Sequence, residues 1–259
     1  MTHDFARCFF PLAIVMALCG TPKNADASEL LVFISAFNKG DEGAIHAYQL
    51  QSETGELKLV HRTTGAEQPF FTALSPDRKF LYAIHAPGQF GGKDNEQISA
   101  YEITGPAGQL KLLNRQSSMG TASCFLEVDK TGKTLLVANY SSGSVAALPI
   151  KADGSLGEAA TFVQHKAASV DASRPTVSHA HCFVVSPDNR FAFAADLGLD
   201  EILNYRLDPA TAKLTPAKQP FVRTAQGAGP RHMTFHPNGK QVYAINELKG
   251  SVSLFDFEP

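Results

Sequence analysis

No run of basic residues occurs in the 259 residues, and neither charge sign prevails: Lys and Arg number 23 against 25 acidic residues, a net charge of −2. Without a basic stripe there is no footprint for a phosphate backbone, so nucleic acid is excluded as an expected partner. Sustained 3.6-residue apolar periodicity is missing too, which argues against helices. The one long apolar run, Cys8 to Gly20, is too short to cross a bilayer. No second run follows, so no membrane span is expected. Cysteine is scarce at four residues, and Cys8 and Cys19 both fall in that N-terminal run. Disorder is excluded by a feature that is present: 44% of the residues are hydrophobic, enough in a chain of this length for a sizeable core.

Arg7 closes a short n-region ahead of the apolar run, and Ala25-Asp26-Ala27 supplies the small-x-small pattern of a signal-peptidase site. Residues 1–27 are expected to be a signal peptide and 28–259 the folded domain, exported to the periplasm or the extracellular space. Cleavage leaves Cys124 and Cys182. An oxidising compartment would allow them one disulfide. Both sit in apolar strand patterns, however, and free buried thiols are expected.

What fills the rest of the chain is a repeat. Phe71-Thr72-Ala73-Leu74-Ser75-Pro76-Asp77, Phe125-Leu126-Glu127-Val128-Asp129-Lys130-Thr131, Phe183-Val184-Val185-Ser186-Pro187-Asp188 and Met233-Thr234-Phe235-His236-Pro237-Asn238-Gly239 align. Pro76, Lys130, Pro187 and Pro237 share one position, so successive units are 54, 57 and 50 residues long. Each unit runs in the same order: an apolar strand, a tight Ser-Pro-Asp-type turn, a β-rich second strand, an alternating third and a marginal fourth. Four antiparallel strands in a unit of this length make a propeller blade, with the first strand innermost. The fold class is therefore all-β, with about five blades present. Residues 30–63 supply only strands two to four of the first blade, and 231–257 only strands one to three of the last. Since a propeller closes by pairing its two ends, this predicts a C-terminally truncated chain.

Repeats act as their own control. Five residues before the turn, the four blades carry Phe70, Cys124, His181 and Arg231; after the second strand they carry Ala86, Tyr140, Leu197 and Glu247. His181, Arg231 and Glu247 are thus expected to converge at one mouth of the channel. An imidazole and a carboxylate can share general acid and base duty, and a guanidinium can hold an anion or steady an oxyanion. The competing structural reading is an Arg231–Glu247 ion pair tying adjacent strands. His179 projects to the same side as His181, where the two could hold a metal with Glu247; the favoured reading is that His179 orients its neighbour. His232 is expected on the face opposite Arg231. Asn139, Asp196 and Asn246 share a strand-end position and read as turn caps, and His236 as bonding its own turn. His179, His232 and Asn246 are retained as candidate substrate contacts.

Gly227-Ala228-Gly229-Pro230-Arg231-His232-Met233-Thr234-Phe235-His236-Pro237-Asn238-Gly239, followed by Tyr243-Ala244-Ile245-Asn246-Glu247-Leu248, resembles the seven-bladed propeller lactonases, typified by the bacterial propeller-type 6-phosphogluconolactonase and including the fungal carboxymuconate-lactonising enzyme. Ser178-His179-Ala180-His181-Cys182 and Asp196-Leu197-Gly198-Leu199-Asp200 fit the same pattern, and the similarity covers 30–259. The resemblance implies that His181, Arg231 and Glu247 bind and act on a lactone, aided by a further Arg from a later blade. It implies a lactone hydrolase opening a sugar δ-lactone by water attack, with a small-molecule lactone as partner, no cofactor and no resident metal. A monomer is expected. The alternatives are a carboxymuconate-type cyclase and a non-catalytic ligand-binding propeller. A signal peptide departs from a cytosolic phosphorylated substrate and points to an unphosphorylated lactone or another ester.

Overall fold

A computed structural model describes residues 30–38, 43–85, 96–166 and 177–258. The expected signal peptide and Ala86 lie outside the described residues. Among the described residues there is no helix, and none therefore long and apolar enough to cross a membrane. Within the described residues eighteen strands form five antiparallel sheets. The first holds β1 (Leu30–Ala36), β2 (Ala44–Leu50) and β3 (Leu57–Thr64). The second holds β4 (Pro69–Leu74), β5 (Phe80–His85), β6 (Gln97–Thr104) and β7 (Gln109–Ser117). The third holds β8 (Ser123–Val128), β9 (Thr134–Asn139), β10 (Ser144–Pro149) and β11 (Thr161–Gln164). The fourth holds β12 (Ala180–Val185), β13 (Phe191–Asp196), β14 (Glu201–Asp208) and β15 (Lys213–Arg223). The fifth holds β16 (Pro230–Phe235), β17 (Gln241–Asn246) and β18 (Ser251–Asp256). Each sheet is a blade, and the first strands of blades two to five pack on one another in turn.

The turn after each first strand shows why the repeat recurs. In Ser75-Pro76-Asp77 the Ser75 hydroxyl donates to Asp77 at 2.6 Å and receives the Phe80 N–H at 3.0 Å. Two residues past the aligned proline position the backbone is left-handed in all four units, at Arg78 (φ 60°), Gly132 (φ 71°), Asn189 (φ 62°) and Gly239 (φ 69°). His236 replaces the serine and accepts the Asn238 N–H at 3.1 Å, so it does bond its own turn.

The core is divided into four apolar layers, one at each junction of successive blades. Alternate side chains of a second strand serve opposite layers. Leu81 and Ala83 face blade one, while Tyr82 and Ile84 face blade three. Both faces are covered, so these strands read as continuous apolar runs. At full burial a side chain such as Leu81 or Ile84 contributes about 1.5–3 kcal/mol. In blade five, Val242 and Ala244 pack on blade four, and the opposite face leaves Tyr243, Ile245, Val252 and Leu254 exposed. Cys124 and Cys182 are free and buried, and burial raises both thiol pKa values.

Every described first strand is interrupted at the same place. Pairing steps from Ala180↔Asp196 to Cys182↔Ala195, from Pro230↔Asn246 to His232↔Ile245, and from Ser123↔Asn139 to Phe125↔Ala138. The skipped residues are His181, Arg231 and Cys124, and blade two slips likewise between Pro69 and Thr72, around Phe70. Each is a β-bulge, one residue more than the partner strand can match.

Glu127 occupies the fifth place of β8, where Ala73, Val184 and Thr234 stand in the other blades. Its Oε1 accepts the Val185 N–H of the next blade at 3.1 Å. Burial pushes its carboxyl up to about 7, against the lowering effects of that hydrogen bond and of Lys130. The folded value lies above the ordinary 4.5, so this group's stabilising contribution is intact below the lower value and is lost as pH rises through the upper one. Glu127→Gln keeps an acceptor for Val185 and removes the titration. It is expected to add about 1–3 kcal/mol at about pH 8.5 and little at about pH 4, by chemical denaturation at both. An equal gain at the two pH values would show that the charge is not the cause.

Candidate active site

The bulges set up a pocket. A cavity of about 300 Å³ is lined by Phe70, Cys124, Tyr140, Ser141, His181, Arg231 and Glu247. Four of these are the bulge residues of blades two to five; Tyr140 and Glu247 follow the second strands of blades three and five. The second-strand ends lie beside the first-strand starts because the two strands run antiparallel. A larger cavity of about 430 Å³ opens among the turns at the other strand ends, with Asp77, Lys133 and Lys151 as its titratable groups. It holds no imidazole or guanidinium, so the smaller cavity is where the chemistry converges.

Arg231 sits at the centre. Its Nε–H donates to His181 Nε2 at 2.9 Å, and the guanidinium forms an ion pair with Glu247, Nε to Oε2 at 3.0 Å. Accepting at Nε2 leaves the neutral His181 proton on Nδ1, which is buried and has no hydrogen-bond partner. Burial is the largest cause that lowers the His181 pKa, to about 4, with the Arg231 and His232 charges adding to it. The imidazole is therefore uncharged at neutral pH. Arg231 and Glu247 keep 46% and 44% of their side chains exposed. An ion pair so open to water contributes about 0–1 kcal/mol, too little to explain its place by stability.

The remaining candidates are placed differently. His179 does not line the pocket: its ring stacks on Tyr140 with centroids 4.5 Å apart, and its Nδ1–H donates to the Tyr140 carbonyl at 3.0 Å. It props Tyr140, which in turn meets the edge of His181 at 5.6 Å. His232 corrects an expectation. It does not point away from Arg231's neighbours but packs on His181 at 5.0 Å and on Phe125 at 5.8 Å. The bulge at Arg231 breaks the strict alternation that would have sent it to the other face. Asn246 is a turn cap and not a lining residue, its Nδ2 donating to Ser251 at 3.2 Å and Ser253 at 2.9 Å. Asp196, fully buried, takes the His179 N–H and the His165 ring N–H at 2.8 and 2.7 Å. Burial raises its pKa, but these bonds and that from Ser178 outweigh it and hold the carboxyl below its usual range. Among the described residues no group of three His, Cys, Asp or Glu could hold a metal ion, so His179, His181 and Glu247 do not form one. Phe70, Cys124, Tyr140 and Ser141 also line the pocket and are not among the candidate site residues of the sequence. Tyr140 carried a signal, since it shares its repeat position with Glu247.

Three four-stranded and two three-stranded blades, with imidazole, guanidinium and carboxylate gathered in one pocket, define a β-propeller with an acid–base pocket. Comparison with known proteins places it further. The chain belongs to the lactonase family of seven-bladed β-propellers, whose profile matches residues 31–259. It is 32% identical to a 6-phosphogluconolactonase of Formosa agariphila over 86% of this chain and 63% of that protein. To the 6-phosphogluconolactonase of Bacillus subtilis it is 29% identical, over 88% and 62%. The solved structure of the Pseudomonas aeruginosa periplasmic gluconolactonase superposes with a TM-score of 0.77 at 31% identity, covering 89% of this chain and 64% of that one. The chain thus spans a little over three fifths of the length of these relatives.

The Arg231–His181 hydrogen bond makes the His181 titration a report on the site. By NMR its midpoint is expected at about 4, and in Arg231→Leu it should move upward yet stay under the ordinary 6.5, because burial remains. A wild-type midpoint at 6.5 would show that the ring is neither buried nor beside Arg231 in solution.

Proposed function

We propose that this pocket opens lactone rings by attack of water on the ring carbonyl. The observation that carries the reading is the Arg231 guanidinium, hydrogen-bonded to His181 and ion-paired with Glu247, in a cavity otherwise lined by Phe70, Cys124, Tyr140 and Ser141. The names of the relatives support the same class of reaction. His181 has no free lone pair to act as base, since Nε2 accepts from Arg231 and Nδ1 carries the ring proton. The half-exposed Glu247 carboxylate, which meets Arg231 through Oε2, has an oxygen available to take the proton of the attacking water. As hydroxide adds to the carbonyl carbon, the oxyanion forms against Arg231, which it draws from Glu247. Collapse of the tetrahedral intermediate breaks the ring C–O bond, and the proton held on Glu247 passes to the departing alkoxide. His181 Nε2 holds the guanidinium in orientation throughout. The substrate class is a sugar δ-lactone.

Hydrolysis of δ-gluconolactone and 6-phosphogluconolactone, followed against the spontaneous rate, tests this. Arg231→Ala is expected to lower kcat by about 100- to 1,000-fold, the scale of losing one oxyanion donor. No wild-type rate above background with either lactone would overturn the reading and leave the cyclase or the binding propeller. Export is proposed as well, supported by the charged, apolar and small-residue order of residues 1–27. N-terminal sequencing of protein from the periplasm of a Gram-negative host should begin at Ser28; uncleaved protein confined to the cytosol would refute it.

A further inference from the structure

The loop that delivers Arg231 is held by a side chain outside the pocket. Asp200, which precedes β14 in blade four, accepts the Gly227 N–H on Oδ2 at 2.6 Å and the Gly229 N–H on Oδ1 at 2.8 Å. Its own carbonyl receives the Thr224 N–H at 2.9 Å and the Thr224 hydroxyl at 3.1 Å, so the aspartate is itself fastened at the blade edge. The loop then bonds the far side of the site: Gly229 O accepts the Glu247 N–H at 2.8 Å, and Ala228 O the Leu248 N–H at 3.1 Å. Pro230 and Arg231 follow directly. Gly229 is left-handed (φ 66°), and a Cβ there would lie 2.7 Å from Leu248 Cγ, so the loop can press this closely on the Glu247 turn only as glycine.

The other blades show that the carboxylate is not demanded by the fold. Immediately before the third strand, blade three has Gly143 (φ 59°) and blade five Gly250 (φ 54°). Asp200 adopts the same left-handed backbone at φ 58°, which is unfavourable for a residue with a side chain. Glycine is therefore the easier residue at this place, and blade four gives it up for a carboxylate. Blade two supplies a parallel. Glu96, likewise just before its third strand, accepts the Ala122 N–H at 2.8 Å and the Ser123 N–H at 2.6 Å, ahead of the bulge residue Cys124. Where the place is Gly143, Asp196 takes the corresponding His179 N–H at 2.8 Å from within its own blade. Each of these three bulges is thus preceded by backbone held on a carboxylate.

We propose that Asp200 is a positioning residue: by clamping the Gly227–Gly229 loop it hangs Arg231 and Glu247 from one rigid peptide segment and so sets their meeting with His181. Its catalytic consequence rests on the lactonase reading, but the geometric claim does not. Asp200→Gly restores the residue that blades three and five carry, so the variant is expected to fold. The His181 midpoint, near 4 in the wild type, should rise toward 6.5 as Arg231 loosens, and Asp200→Asn, which keeps one acceptor oxygen, should give a smaller rise. The control Asp188→Ala, which alters the turn where Asp188 accepts from Ser186 and Arg190, should leave the midpoint in place. If the wild type hydrolyses a lactone, Asp200→Gly should lower kcat/KM by about 100-fold, mainly through kcat, the cost of misplacing a group by about 1 Å. A folded Asp200→Gly with an unchanged His181 midpoint overturns the proposal. A shifted midpoint in a protein without lactonase activity upholds the clamp and rejects the activity.

Discussion

Two antiparallel strands exchange hydrogen bonds residue for residue, and their side chains alternate between faces as a consequence. One extra residue in the inner strand breaks that correspondence at a single point and turns a side chain toward the mouth of the channel. In this protein the extra residue stands at the same place in four consecutive blades, and the pocket is what those residues jointly enclose. The rest of each inner strand must keep strict alternation, because it feeds apolar layers on both sides. The bulge therefore separates two duties. Cys182 packs in the layer between blades four and five, while its neighbour His181 is free for the site.

Behind the bulges lies a second tier of polar contacts that never reach the pocket. Asp196 and Glu96 are buried, Asp200 is part-buried, and each takes backbone N–H groups from a segment leading into a bulge. Buried carboxylates are costly unless they accept several hydrogen bonds, and here the donors are the very peptides whose placement matters. The charge inside the pocket is handled otherwise. Arg231 faces a carboxylate and an uncharged imidazole at nearly equal distance, with half of its side chain in water. A group so held is oriented but not locked, and an oxyanion can draw it away from Glu247.

Much of this was legible in the residues. The turn chemistry, the apolar second strands and the fixed spacing made the blades readable, because each blade meets the same local and packing demands. The outer strands were harder. β15 runs for 11 residues and β7 for 9, where only marginal strands were expected, since an exposed edge strand carries little apolar patterning. The comparison of aligned positions found His181, Arg231 and Glu247 because a repeat exposes departures from its own average. It could not find the bulge, since a slipped register leaves no mark on the one-dimensional pattern. For that reason His232 was expected on the wrong face.

What the sequence determined alone was therefore the architecture and the identity of the three converging groups, both of which follow from local rules applied several times over. What only the tertiary structure decided was orientation: His179 beneath Tyr140, His232 against His181, one guanidinium bonded to an imidazole and paired with a carboxylate, and Asp200 reaching two glycine amides in the next blade. These are contacts between blades or across a register slip. They depend on how neighbouring sheets stack, and that relation exists only once the chain has closed its apolar layers.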